Sequence, residues 1–211
     1  MIGGSLRRVV ACGTVAALLA FGAPAAAQTY SPGYQFLEAV EKKDIGEVEK
    51  LLGKPGSTLI NSRDITDGHT ALHIATRRRD IVWLVFLANK GANPNIANNR
   101  GVTPLTLASS LGFFEGVDAL IKAGARVDEP NEAGETPLIT AVHRRDTQMM
   151  RALLAAGADP DRSDNSGRSA REYATLEGEN SRTLQEIERS ARGDDDKPAG
   201  RDSRETYGPS F

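Results

Sequence analysis

The side chains with the clearest chemical potential in this sequence are three histidines, His69, His73 and His143. His69 and His73 are four residues apart, a spacing that on one face of a helix would suit a zinc ion. His69, however, precedes the predicted start of the helix, so we expect no metal site there. The sequence also lacks the nucleophile elbow, the phosphate-binding glycine loop and the His-Glu-x-x-His motif. We therefore predict that the chain is not an enzyme and has no cofactor and no metal.

The first residues have the pattern of a secretory signal peptide. Arg7 and Arg8 precede an apolar run over residues 9–23, and small residues follow as far as Ala27. We predict a signal peptide at residues 1–27, cleaved after Ala27, and hence a periplasmic or secreted protein. The alternatives are an uncleaved anchor, a twin-arginine signal and a lipoprotein signal at Cys12. Because Cys12 is the single cysteine of the sequence, the cleaved chain would have no disulfide.

The charge balance gives no general reason to expect an anionic partner. The 211 residues include 26 Lys and Arg against 28 Asp and Glu, and 39% are hydrophobic. These values are typical of one soluble domain with terminal extensions. We expect no nucleic acid partner, no membrane contact in the mature form, and a monomer.

The helices that must position any functional side chain follow from an internal repeat. Gly-His-Thr-Ala-Leu-His-Ile-Ala at residues 68–75 recurs as Gly-Val-Thr-Pro-Leu-Thr-Leu-Ala at 101–108, again at 134–141, and weakly at 167–174. Thr103 can cap the first helix of its unit while Pro104 occupies the first turn. Gly91, Gly124 and Gly157 keep the same 33-residue spacing, and Gly124 and Gly157 should end second helices in the left-handed conformation. The pattern predicts stacked helix pairs.

With this period and these motifs, the sequence resembles the ankyrin-repeat family. The resemblance implies an all-α repeat solenoid in which helix-turn-helix units are joined by β-hairpin-like fingers, with about five units including the caps. We place the repeat domain at residues 34–190. It divides into an N-terminal cap unit (34–66), central repeats (67–99, 100–132 and 133–165) and a C-terminal cap unit (166–190). Residues 28–33 form a short linker, and the polar residues 191–211 should be a disordered tail.

Several side chains have a predicted structural role. Phe36–Val40 and Val48–Leu52 should form the first helix pair, and Trp83 should fill the core. In the C-terminal cap we expect four side chains to pack inward: Tyr173, Leu176, Leu184 and Ile187. Phe113 is open between core packing and partner contact. The resemblance implies that His73 makes hydrogen bonds that tie one unit to the next.

The resemblance also implies that a protein partner lies on the concave side, across the finger tips and the outward face of the first helices. Carried over by position, the predicted partner-binding residues are Arg77, Arg78, Arg100, Val102, Ser110, Leu111, Phe113, Glu132, Glu135, His143, Arg144 and Arg168. Arg77–Arg79 and Arg144–Arg145 occupy equivalent places on either side of Ser110 and Leu111. Such a groove would suit an acidic segment with one apolar anchor. The alternative is that the arginines complement helix C-termini at a solvated edge.

We therefore expect a non-enzymatic protein-binding module of the periplasm or extracellular space. The alternative is a secreted effector that binds a host or competitor protein. An enzyme with its active residues in the loops is a third hypothesis, and no motif supports it.

Overall fold

The computed structural model describes residues 31–54 and 57–191. Within these residues there are ten α-helices: α1 (Pro32–Glu41), α2 (Ile45–Leu52), α3 (Ala71–Arg77), α4 (Ile81–Asn89), α5 (Pro104–Leu111), α6 (Phe114–Lys122), α7 (Pro137–His143), α8 (Thr147–Ala155), α9 (Ala170–Leu176) and α10 (Arg182–Ala191). A 3-10 helix, Leu59–Asn61, lies between α2 and α3. No helix in the described part of the chain is long and apolar enough to cross a membrane. The predicted signal peptide, its cleavage site, Cys12 and residues 192–211 lie outside the described residues.

The helices form five pairs, and each pair packs on the next. Each first helix contacts the second helix of its own unit and the first helices of neighbouring units, as α5 contacts α6, α3 and α7. Second helices pack in the same order, α4 against α6 and α6 against α8. This arrangement is the predicted all-α repeat solenoid, and the five pairs match the predicted number of units.

Side chains at the helix ends fix where the first helices begin. The hydroxyl of Thr103 accepts a hydrogen bond from the Thr106 N–H at 3.2 Å, and Pro104 is the first helical residue, as predicted. Thr136 and Ser169 accept equivalent bonds 33 and 66 residues further along. Each bond satisfies an N–H that the helix itself leaves unpaired. The repeated Thr or Ser therefore sets the same starting point in successive units.

The fingers between units are closed by backbone hydrogen bonds. Asn98 N–H donates to Val102 O at 2.9 Å, and the fingers at 131–135 and 164–168 close across the same separation. In the first finger the bond instead joins Asp64 to His69, so this finger contains one more residue. Ile65, in this longer finger, is fully exposed.

The core runs through all five pairs. Phe36, Leu105, Leu138, Met149 and other apolar side chains are fully buried, and Trp83 is 6% exposed. Leu184 and Ile187 are also buried, as predicted for the C-terminal cap. The prediction for Leu176 was wrong, because this side chain is 70% exposed. Leu176 is the last residue of α9, at the position that is also exposed in α3, α5 and α7.

Phe113 belongs to the core and is only 5% exposed. It occupies the N-cap position of α6, where α4 and α8 have Asp80 and Asp146 as caps. Its ring lies so close to Gly116 that a Cβ atom there would overlap it. At the position of Gly116 the neighbouring units have large buried side chains, so the Phe113 ring fills space that Gly116 leaves empty. The packing alternative for Phe113 is therefore the one that the structure supports.

Candidate functional site

The surface that the sequence points to combines the finger tips with the exposed face of the first helices; we call it the finger surface. Residues at equivalent positions of α3, α5, α7 and α9 are all exposed there: Arg77, Ser110, His143 and Leu176. On the finger tips, Arg100 and Glu132 are exposed, and Val102 and Glu135 are half-buried. The side chains of Arg100 and Glu132 have no hydrogen bond or ion pair with any described residue. They are therefore the members of the predicted set that are free to bind.

His73 joins two units from a fully buried position. Its Nδ1 accepts from the Thr70 N–H at 3.1 Å, which leaves Nε2–H to donate to the Val102 carbonyl oxygen at 2.9 Å. Burial lowers the pKa of His73 to about 4, because the charged imidazolium would be poorly solvated there. His73 is thus a neutral structural link, as the resemblance implied, and it holds Val102 through its backbone.

The arginines of the first helices reach back to the preceding unit. Arg77 Nη2 donates to Glu41 Oε1 at 2.8 Å. Arg78 Nη1 donates to the carbonyl oxygens of Val40 at 3.0 Å and Glu41 at 3.1 Å, at the end of α1. The last carbonyls of a helix lack the regular partner four residues further on, and they carry the negative end of the helix dipole. Both arginines therefore stabilise the stack where the sequence suggested a basic groove.

Two units later, Arg144 reaches back in the same way, whereas Arg145 pairs with the following unit. Arg144 Nη1 donates to the Ser110 carbonyl oxygen at 3.0 Å, at the end of α5. Arg145 Nε instead reaches forward to Glu177 Oε1 at 3.1 Å. Arg79 also reaches forward and donates to the Leu111 carbonyl oxygen. These contacts match the alternative in which the arginines complement helix C-termini.

Positive charge nevertheless remains at this edge. Arg79 and Arg144 bind neutral carbonyl groups, which do not cancel their charge, whereas the ion pairs of Arg77 and Arg145 do. The apolar middle of the predicted groove is reduced, because Leu111 is half-buried against the core. The Ser110 hydroxyl donates to the Leu107 carbonyl oxygen at 2.8 Å.

Three of the predicted partner-binding residues, His143, Arg168 and Glu135, lie near the ring of Tyr173, which the sequence predicts to pack inward in the C-terminal cap. The rings of His143 and Tyr173 are edge to face, 4.5 Å apart, and Arg168 lies 5.9 Å from the Tyr173 ring centre. Glu135 Oε1 is 3.8 Å from His143 Nδ1. Tyr173 is half-buried, and its hydroxyl donates to Asp164 Oδ2 at 2.7 Å. The 33-residue spacing could have predicted this position of Tyr173, because Tyr173 corresponds to Leu107 and Thr140, which are half-buried on the first helices.

Hydrogen bonds hold Asp164 below this cluster. Ser166 Oγ donates to Asp164 Oδ1 at 2.7 Å, and backbone N–H groups of Ser166 and Arg168 donate to the same oxygen. The bonds from Ser166 and Tyr173 lower the pKa of Asp164 well below its usual range, because they favour the carboxylate. Asp164 thus joins the last finger to Tyr173 of α9 through the Tyr173 hydroxyl.

The described residues contain no group of three or more His, Cys, Asp or Glu side chains arranged to hold a metal ion. His69 lies outside α3, which begins at Ala71, and its ring contacts Asn98 Nδ2 at 3.2 Å. The geometry around the histidines is thus that of hydrogen-bonded links between units.

Comparison with known proteins agrees with the fold. Family models for ankyrin repeats match residues 36–131 and 120–174, which together are more than half of the chain. The chain belongs to the ankyrin-repeat family, whose repeats generally serve in protein–protein interaction.

Individual relatives match shorter stretches. An ankyrin repeat protein of fowlpox virus is 45% identical over 58 residues, 28% of this chain and 16% of the viral protein. A protein of Arabidopsis thaliana named as an E3 ubiquitin-protein ligase is 30% identical over 94 residues, 44% of this chain and 20% of its own length. Oxysterol-binding protein homolog 1 of Saccharomyces cerevisiae is 30% identical over 76 residues, 35% of this chain and 6% of the yeast protein. The chain thus spans a fifth or less of the length of these relatives.

Proposed function

We propose that the chain is an exported, non-enzymatic module that binds a protein partner across the finger surface. One observation carries this proposal. The residues that hold the backbone are alike from unit to unit, as Thr103, Thr136 and Ser169 show, while the exposed residues beside them all differ. An arginine, a serine, a histidine and a leucine occupy the same position of four successive first helices. A constant scaffold with a varied surface is what selective recognition by a repeat protein requires.

The charges and the apolar side chains of this surface favour an acidic segment with one apolar side chain. Arg79 and Arg144 keep their positive charge, and Arg100 is free to form a forked pair with a carboxylate. Leu176, at 70% exposure, is the apolar contact in place of Leu111. Arg100 and Leu176 belong to units that are two repeats apart, so a segment that reaches both must be extended.

The test is capture of partners from periplasmic extract by the tagged chain, analysed by mass spectrometry. The surface variant is Arg100→Ala/Leu176→Ala, chosen because neither side chain is needed for the stack. The matched control, Gln148→Ala/Arg189→Ala, changes exposed side chains of α8 and α10. Capture by the wild type and the control but not by the surface variant supports the proposal. Equal capture by all three would show that the partner binds elsewhere.

Export is tested separately by the mass of the chain in each cell fraction. A periplasmic form that begins at Gln28 is expected from the predicted cleavage. A chain that keeps Met1 and sediments with the membrane would contradict export as a soluble protein. Recovery from the culture medium alone, with no periplasmic partner, would favour the secreted effector.

A further inference from the structure

The outer face of α4 is apolar where other second helices carry polar or charged side chains. Val82 is 72% exposed and Val85 is 41% exposed. Thirty-three residues later, the same positions of α6 are Glu115 and Asp118. A helix that is apolar around its whole circumference normally lies inside a core. Exposed valines on two successive turns of α4 therefore indicate a surface that something else covers.

The apolar surface continues onto both neighbouring helices. On α2, Ile45 is 51% exposed, one turn before Glu49, whose carboxylate binds Lys90 Nζ at 3.1 Å. Because residues four apart share a helix face, Ile45 lies on the side of α2 that faces α4. An open groove between α4 and α6 is lined by apolar side chains, among them Ile81, Val85 and Phe114, and on the α6 side also by Glu115, Asp118 and Lys122. We call Ile45, Ile81, Val82, Val85 and Phe114 the outer strip.

The charges beside the outer strip change sign along the helices. On α6, Glu115 stands in the first turn and Lys122 at the end. On α2, Glu47 stands in the first turn and Lys50 in the last. If two copies meet face to face with their helices antiparallel, α6 opposes α6 and α2 opposes α2. Glu115 of one copy then lies opposite Lys122 of the other, and Glu47 opposite Lys50, whereas parallel helices would set Lys122 against Lys50. Asp118, at the middle of α6, would face Asp118 of the other copy, and each Asp118 is bound by Lys122 of its own chain at 2.6 Å. Lys50 is likewise bound to Glu47 of its own helix at 2.8 Å.

We propose that the outer strip is the contact between two copies of this chain, paired about a two-fold axis with antiparallel α4 helices. Val85 lies near the axis because it is at the middle of α4, and Glu115 of each copy faces Lys122 of the other. Such an isologous contact uses the same patch on both copies. The strip is small, so the dimer is expected to be weak, with a dissociation constant on the order of 10 to 100 µM. The pairing leaves the finger surface open for another partner.

The apolar part is tested by sedimentation equilibrium of the purified full chain from about 5 to about 500 µM, a range that brackets that constant. Val82→Glu/Val85→Asp gives α4 the residues that α6 already has at these positions, so folding should persist and can be checked by circular dichroism. The wild type should dimerise and this variant should remain a monomer. The control Gln148→Glu places a charge at the equivalent position of α8 and should dimerise like the wild type.

The charge reversal tests the orientation. Glu115→Lys should weaken the dimer about tenfold. The introduced lysine of each copy would face Lys122 of the other copy, so the symmetric dimer would contain two repulsive pairs. Glu115→Lys/Lys122→Glu should restore most of the affinity, and the introduced lysine can still pair with Asp118 three residues on. A double variant as weak as the single one would overturn the antiparallel arrangement.

Two further outcomes would overturn the proposal as a whole. One is a wild type that remains monomeric at every concentration. The other is a dimer that the α4 variant leaves unchanged. Hydrogen exchange that is slow in α4 of the purified monomeric chain would assign the outer strip to another segment of the same chain, and would also count against a second copy.

Discussion

The guanidinium of Arg144 donates to the main-chain carbonyl oxygen of Ser110, 34 residues earlier, at 3.0 Å. The bond joins the end of one first helix to the end of the preceding one. Because the acceptor is a neutral carbonyl group, Arg144 can stabilise the contact between two units and still keep its positive charge for a partner. Substitutions can therefore separate the residues that hold the stack from the residues that are free to bind.

Arg144→Ala should lower the free energy of unfolding by about 0.5 to 1 kcal/mol, because the bond to Ser110 is charge-assisted but exposed. Arg100→Ala should change it by less than about 0.3 kcal/mol, because the Arg100 side chain has no partner among the described residues. Urea denaturation of both variants makes the comparison. Equal losses would mean that the contact at Ser110 does not stabilise the stack.

Phe113→Ala should cost about 3 to 5 kcal/mol, because it empties the space over Gly116. Leu111→Ala, in the preceding turn, removes a half-buried side chain and should cost less. Chemical denaturation would measure both. A small loss of unfolding free energy for Phe113→Ala would instead favour a role of this ring in partner contact.

Leu105→Ala and Leu138→Ala should each cost about 2 to 5 kcal/mol, because both side chains are fully buried in the seam between units. Leu176→Ala should cost little, since its side chain is mostly exposed. The urea midpoints of the three variants test this order. Similar midpoints for all three variants would contradict the assignment of Leu105 and Leu138 to the core.

Stability should fall as the pH drops from 6.5 towards 4. The folded state keeps His73 neutral down to a pKa of about 4, whereas the unfolded chain takes up the proton near the ordinary value of 6.5. The unfolded state is therefore favoured by about 1.4 kcal/mol for each pH unit within that window, up to about 3 kcal/mol in total. Above pH 6.5 this group has no effect.

His73→Thr provides the control for the pH effect, because α5 has Thr106 at the same position, where its hydroxyl bonds the Thr103 hydroxyl and the Glu129 carbonyl oxygen. The variant should show a flatter dependence of stability between pH 6.5 and 4. A slope equal to that of the wild type would mean that another group causes the loss.

The sequence by itself determined the family, the period and most of the core. The glycines at 68, 101, 134 and 167, the capping residues such as Thr103, and the buried Leu105 and Leu138 could be predicted because helix starts, turns and buried faces are local patterns that repeat. The N-terminal helix pair and the core position of Trp83 followed from the same periodicity.

Only the tertiary structure decided which side chains are free on the surface. Arg78 and Arg144 donate hydrogen bonds to carbonyl groups of the preceding unit. The Phe113 ring packs against Gly116, and Leu176 faces solvent. None of these outcomes follows from residue type, because each depends on the distance between stacked units and on what the neighbouring helix leaves unfilled. A periodic sequence determines how each unit folds, but contacts between units are set by side-chain packing across their interface.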